Sequence, residues 1–202
     1  LGQAALLSAA DAAVERPLRT EIAVRSEQLN VLTGERASVT GRLLQPHRRG
    51  AAGKVVSLQA LGPRGWRTIA RARTGHRGGF RISYVPWRLG SEMVRLRFAG
   101  DARDLPSHRR LGQLSAFRLA GASWYGGGGG LACGGQLTSA TMGVANKTLP
   151  CGTMVTLRYG DRSVRVPVID RGPYVEGREY DLTEATRQAL GFGDTGRVWS
   201  SR

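Results

Sequence analysis

The stretch Val166-Pro-Val-Ile-Asp-Arg-Gly-Pro-Tyr174 sets Asp170 directly ahead of an Arg-Gly-Pro turn. A carboxylate there has two uses: it braces the turn by an ion pair or an Asx-type bond, or it works as an exposed functional acid. Ala122-Ser-Trp-Tyr-Gly126 and Val144-Ala-Asn-Lys-Thr-Leu-Pro-Cys-Gly-Thr153 lie upstream, and Arg178-Glu-Tyr-Asp-Leu-Thr183 follows. Around these blocks, the five glycines Gly126 to Gly130 read as a mobile loop. Helical character shows once, from Asp181 to Leu190, with Asp181 as the expected cap, Glu184 in the first turn and Gly191 as the stop. Cys133 and Cys151 are the only cysteines, an even count that suggests a bridge in an exported chain; two free buried thiols are the alternative. With no histidine in this half and no further ligand spaced for zinc, neither a metal nor a cofactor is expected.

From Pro17 to Arg118 the pattern changes to short alternating strands separated by Gly and Pro turns. Lys54 to Ala60 reads as a strand, Leu61-Gly-Pro-Arg-Gly65 as a turn and Trp66 to Arg73 as the return. Phe80, Ile82 and Tyr84 share one face; Val94, Leu96 and Phe98 share another, with Arg95 and Arg97 opposite. One face packs and the other meets water. Strands at this spacing over about a hundred residues suggest an immunoglobulin-like β-sandwich. His47, His76 and His108 sit in polar, turn-like surroundings and read as surface residues. Three segments are expected: 1–16 as an arm or export-signal remnant, 17–118 as the sandwich, and 119–202 as a second domain closely joined near Leu119 to Ala122.

The charge is uneven. The formal net charge is +15, with 20 Lys+Arg against 6 Asp+Glu in residues 17–118 but 9 against 7 in residues 119–202. Only Lys54 and Lys147 are lysines, so the positive charge is guanidinium, which pairs in planar fashion with carboxylate and phosphate. No helix-borne basic cluster, zinc signature or RNA-binding aromatic motif accompanies it, which argues against nucleic acid. Anionic wall polymers would satisfy the same charge, and so would a merely solvated Arg-rich surface. Residues 1–13, LGQAALLSAADAA, look like the tail of an export signal, with an exposed arm as the alternative. No apolar run approaches the roughly eighteen residues of a membrane span.

Taken in order, the four blocks ASWYG, VANKTLPCGT, VPVIDRGPY and REYDLT resemble the rare lipoprotein A family, over about 119–202. The two cysteines resemble a secreted, actinobacterial-type branch. The resemblance implies an all-β chain: the sandwich followed by a C-terminal six-stranded double-psi β-barrel with one or two short helices, related to expansins. It further implies a secreted or wall-associated protein that engages peptidoglycan in a shallow groove. Lytic members cut between N-acetylmuramic acid and N-acetylglucosamine without water, because the C6 hydroxyl of the sugar attacks its own anomeric carbon. One group that first donates and later accepts a proton then suffices, unlike the paired carboxylates of hydrolases.

By the same resemblance the acid falls on Asp170 and an auxiliary carboxylate on Asp181. The family's histidine position holds Asn146, which neither titrates nor relays a proton and is expected to orient substrate. That departure keeps a second reading open, a barrel that binds glycan, expansin-like, without cutting it. Tyr174, Arg171, Lys147 and Thr141 are the expected substrate contacts. Trp124, Tyr125 and Tyr180 offer flat faces for sugars or core packing. N-capping explains Asp181 as well as catalysis does, and bracing explains Arg171 as well as a substrate clamp does.

Overall fold

The computed structural model describes residues 16–202. The expected export-signal remnant falls almost wholly on residues 1–15, outside the described part. Fifteen strands and one α-helix follow in order: β1 (Glu21–Gln28), β2 (Asn30–Leu32), β3 (Ala37–Leu44), β4 (Val55–Gly62), β5 (Gly65–Arg73), β6 (Gly79–Tyr84), β7 (Gly90–Phe98), β8 (Ser107–Tyr125), β9 (Gly129–Gly130), β10 (Gln136–Leu137), β11 (Val144–Ala145), β12 (Met154–Tyr159), β13 (Arg162–Asp170), β14 (Tyr180–Thr183), α1 (Glu184–Leu190) and β15 (Thr195–Ser200).

The first half is a sandwich. One sheet runs β1-β3-β6, and the other runs β5-β4-β7-β8 with β2 added in parallel to β8. Period-two alternation points Val39, Ile82, Val56, Leu58, Val94 and Leu96 into one shared core, which is why the strand pattern was so regular. Behind it, the buried Asp104 carboxylate is held by Lys54 Nζ at 2.5 Å and by Gln45 Nε2 at 2.7 Å.

The second half closes on itself. The order β14-β11-β13-β12-β15-β8, with β14 pairing back onto β8, makes a six-stranded barrel. Two of its pairings are parallel, β11 with β13 and β14 with β8; the others are antiparallel. Val144, Val155, Leu157, Val168, Leu182 and Val198 fill it. At the other end α1 is capped by Thr183, whose side chain accepts from the Thr186 amide, and stops at Gly191 with φ 64°. The cap expected at Asp181 is thus displaced by two residues, because Tyr180–Thr183 is committed to β14 as a barrel strand.

The two halves share a strand. β8 pairs with β7 through Ala116 and with β15 from Arg118 onward, so the junction expected near Leu119 to Ala122 lies inside continuous sheet. Arg118 clamps Glu179 in a bidentate ion pair, and the Phe117 and Trp199 rings meet at 5.9 Å across the seam. At Gly121 a β-carbon would collide with the Gly177 carbonyl, so a residue without one is required where the 177–178 backbone crosses β8.

Candidate functional site

Barrel strands alternate, and the alternation builds the site. Val144 and Leu182 point inward, so Ala145 and Asp181, directly paired, lie on the outer side. On the other flank the register of β13 skips one residue, so that Val144 pairs with Val168 but Ala145 pairs with Asp170. Such a bulge re-aims a side chain, and here it brings Asp170 into the same row as Ala145. Asp181 in turn pairs with Ser123 on β8. The row therefore reads Asp170, Ala145, Asp181, Ser123 across four strands. Two strand spacings separate the backbones of the acids by about 10 Å, with only a methyl group between them.

Each carboxylate is anchored on one side. Asp170 Oδ1 accepts from the amides of Ala132 and Arg171, both at 2.9 Å. Asp181 Oδ1 takes the Ser123 hydroxyl. Both acids are half-buried, and neither is paired with a guanidinium in any ion pair among the described residues. The ion pair considered between Asp170 and Arg171 does not form; the turn is braced through the backbone.

Tyr125 stands over this row, two residues beyond Ser123. Its hydroxyl is buried and completes no hydrogen bond among the described residues. Burial first, then the charge of Asp170, then that of Asp181 push its phenol well above the usual tyrosine range, so it stays protonated. A neutral donor is therefore held beside two carboxylates. Sequence reasoning had grouped Tyr125 with aromatics of the core; the signal was its position two residues past Ser123 on one strand. Ser123 was missed altogether.

Asn146 and Arg171 are both occupied elsewhere. Asn146 is only 7% exposed: Nδ2 donates to the Glu179 carbonyl at 2.9 Å, and Oδ1 accepts from the Thr148 and Leu149 amides at 3.0 and 2.8 Å. This is an Asx-type turn, so the amide expected to orient substrate is used to shape the chain. The Arg171 guanidinium donates to the carbonyls of Asn146 and Leu149 at 3.1 and 3.0 Å and to Cys151 Sγ at 3.1 Å. Expected as a substrate contact, it buttresses the 146–151 loop from behind. Cys133 and Cys151 form a disulfide, tying that loop to the segment whose Ala132 amide holds Asp170.

The remaining candidates scatter. Tyr174 is 81% exposed just after the Asp170 turn, and Lys147 is exposed; both are free to touch a ligand. Thr141 is half-buried and spends its hydroxyl on Thr138. Tyr180 is wholly inside the barrel, bonded to the Ser200 hydroxyl at 3.0 Å, and offers no face to a sugar. Trp124 carries the Arg187 guanidinium over its ring and donates to Asp194. Among the described residues, the clefts lined by Arg67 and Trp87, by Glu27 and Trp199, and by Arg64 and Trp66 lie in the sandwich or at the seam, away from Asp170 and Asp181. The acids stand on the barrel's outer surface.

A closed barrel of six strands with two parallel crossings, carrying an acid row on its outer face, is a double-psi β-barrel domain. Residues 119–199 match the model of a family described as lytic transglycolase, and this domain is RlpA-like. The probable endolytic peptidoglycan transglycosylase RlpA of Aquifex aeolicus is 41% identical over 76 residues, which is 35% of this chain and 34% of that protein. The endolytic peptidoglycan transglycosylase RlpA of Pseudomonas aeruginosa is 40% identical over 87 residues, 40% of this chain and 26% of that protein. A probable RlpA of a Nostoc species is 32% identical over 132 residues, 62% of this chain and 30% of its own. The chain thus spans about a third or less of the length of these relatives.

Proposed function

We propose that the barrel acts on peptidoglycan as a lytic transglycosylase in an extracytoplasmic setting, with Asp170 as the acid that becomes the base. The observation that carries this reading is the outward row of Asp170 and Asp181, with the protonated Tyr125 hydroxyl beside it. Asp170, protonated, gives its proton to the glycosidic oxygen as the bond to the anomeric carbon breaks. The resulting carboxylate takes the proton of the C6 hydroxyl as that oxygen closes the 1,6-anhydro ring, so no water is consumed and the acid is regenerated. The Ala132 and Arg171 amides fix Oδ1 and leave the other oxygen for this transfer. The Tyr125 hydroxyl, kept neutral and without a partner at rest among the described residues, turns in this reading to donate to Asp170 once the carboxylate is charged. Asp181, held by Ser123, supplies negative charge near the sugar's developing cation. Tyr174 and Lys147 serve as rim contacts; no cofactor enters.

The second reading, a glycan-holding module that breaks no bond, draws on Asn146, whose closed turn leaves that position without a titrating group. One experiment separates the two. The whole chain is incubated with purified sacculi, and soluble products are read by mass spectrometry. The enzyme reading expects 1,6-anhydromuramyl fragments that vanish in Asp170→Asn. Sacculi that bind the protein yet release nothing select the second reading, and an undiminished yield from Asp170→Asn removes that carboxylate from the chemistry.

A further inference from the structure

We propose that the outer face of the β5-β4-β7-β8 sheet binds a linear polymer of phosphodiester-linked polyol units, laid along β4 among guanidinium groups of β5, β7 and β8. The strand registers define the face. Val56, Leu58 and Ala60 of β4 point into the core, so Val55, Ser57 and Gln59 point out. Ser57 is flanked by Arg71 on β5 and Arg97 on β7, and Arg97 has His108 beyond it on β8. One row up, the buried Gln59 lies between Thr68 on β5 and Arg95 on β7, which pairs with Arg110; one row down, Val55 faces Arg73. At Ser57 cations thus stand on both sides of β4, about 10 Å apart, while at Gln59 they lie on the β7-β8 side and at Val55 on the β5 side. Rows on one face recur about every 7 Å along the strands, which suits a polymer with regularly spaced charges.

Two features distinguish this face from a merely solvated surface. The Arg95 guanidinium is half-buried and held in place: Nε donates to Gln59 Oε1 at 2.9 Å, and the group lies 4.2 Å from the Trp66 ring centre. It also faces its own kind. Burial and then the charges of Arg97 and Arg110 push its pKa down from the ordinary guanidinium value, a repulsion that an arriving anion relieves. No Asp or Glu occupies these outward rows among the described residues. The acids closest in sequence are engaged elsewhere, Glu92 with Arg67 and Asp101 and Asp104 with Lys54. Guanidinium forks match phosphate oxygens in bidentate fashion. A nucleic acid fits less well, since among the described residues this face carries no helix to enter a groove and the Trp66 ring that could stack a base is covered by Arg95.

The test measures binding of the whole chain to a fluorescent poly(glycerol phosphate) of defined length, at about 50 and about 200 mM salt. Arg71→Ser with Arg97→Ser removes one opposed pair of exposed side chains. Arg25→Ser with Arg81→Ser removes two exposed charges from the other sheet as a control of equal charge. The face variant is expected to bind at least tenfold more weakly, with a salt dependence lowered by about two counterions, and the control to stay within twofold of wild type. Both should unfold at the wild-type temperature. Equal losses in the two variants would reduce the effect to net charge and overturn the site. Tighter binding of an oligonucleotide of matched charge, or equal binding of polyglutamate, would overturn the phosphodiester assignment.

Discussion

Replacing Asn146 by Ala should destabilise the barrel by about 2 kcal/mol, and the size follows from three bonds. The side chain is 7% exposed and satisfies the Glu179 carbonyl and the Thr148 and Leu149 amides. Each intramolecular hydrogen bond contributes roughly 1 kcal/mol net, which gives an upper figure of about 3. Thr148 is exposed and regains water once released, which brings the sum down to about 2. Asn146→Asp should fall between, because it keeps the oxygen that accepts from both amides but turns its other oxygen toward the Glu179 carbonyl. Asn146→His, which places the family's residue here, loses the two-amide clamp and should cost as much as Ala. Urea unfolding gives the free energy, and amide hydrogen exchange at Thr148 and Leu149 locates it. An Ala variant within 0.5 kcal/mol of wild type, with both amides still protected, would refute the clamp.

Tyr125→Phe removes a buried hydroxyl that completes no bond, so stability should hold or rise slightly while turnover on sacculi falls by roughly tenfold or more. The same variant should change the alkaline limb: with the folded pKa of Tyr125 above its unfolded value of 10.0, its stabilisation is complete below pH 10 and is lost as pH climbs past it, a decline that Phe should soften in pH-resolved unfolding. Reducing the Cys133–Cys151 bridge, or replacing both cysteines by Ser, should cost about 3 kcal/mol from a sequence separation of 18 residues, seen as a lower urea midpoint. Lys54→Met strands the buried Asp104 carboxylate and should cost the sandwich about 3 kcal/mol by the same measurement; Lys54→Met with Asp104→Asn should recover much of it.

Where one face of a strand is wet, the fold was legible. Val94, Leu96 and Phe98 are buried while Arg97 opposite is exposed, and the turn at Leu61 to Gly65 separates β4 from β5 as its Gly and Pro residues suggested. The pattern is weaker where both faces are covered: Leu114, Ser115, Ala116 and Phe117 are all buried in succession, so β8 loses its alternation where it passes from sandwich to barrel, and the continuity of the strand across that joint does not show in the sequence. At the site, the motif order singled out Asp170 and Asp181, but Asp181 reads in sequence as a helix cap and lies on β14, and roles depended on three-dimensional partners. Asn-Lys-Thr-Leu offers an Asx turn in plain sequence terms; only the Glu179 carbonyl opposite the amide shows that all of its useful bonding is spent. The Tyr125 hydroxyl gains its meaning from two acids that lie 45 and 56 residues away in the chain.

Asn146, Arg171 and the disulfide converge on one loop, and the far end of that disulfide carries the segment whose amide holds Asp170. On the proposed reading, a carboxylate that acts first as acid and then as base needs its free oxygen kept in one place through both steps, and these restraints hold Asp170 through backbone amides and not through an ion pair. Arg171 reaches past the Asp170 carboxylate to carbonyls, bracing the turn without forming an ion pair with it. The shared strand extends the argument to the whole molecule. Arg110 and Ser123 lie on the same β8, thirteen residues apart, so the cationic face and the acid row are separated by at most about 43 Å of continuous sheet. With Arg118 clamped to Glu179 across the seam, that separation is set by the sheet and not by a linker, and a polymer gripped on one domain meets the barrel at a fixed reach.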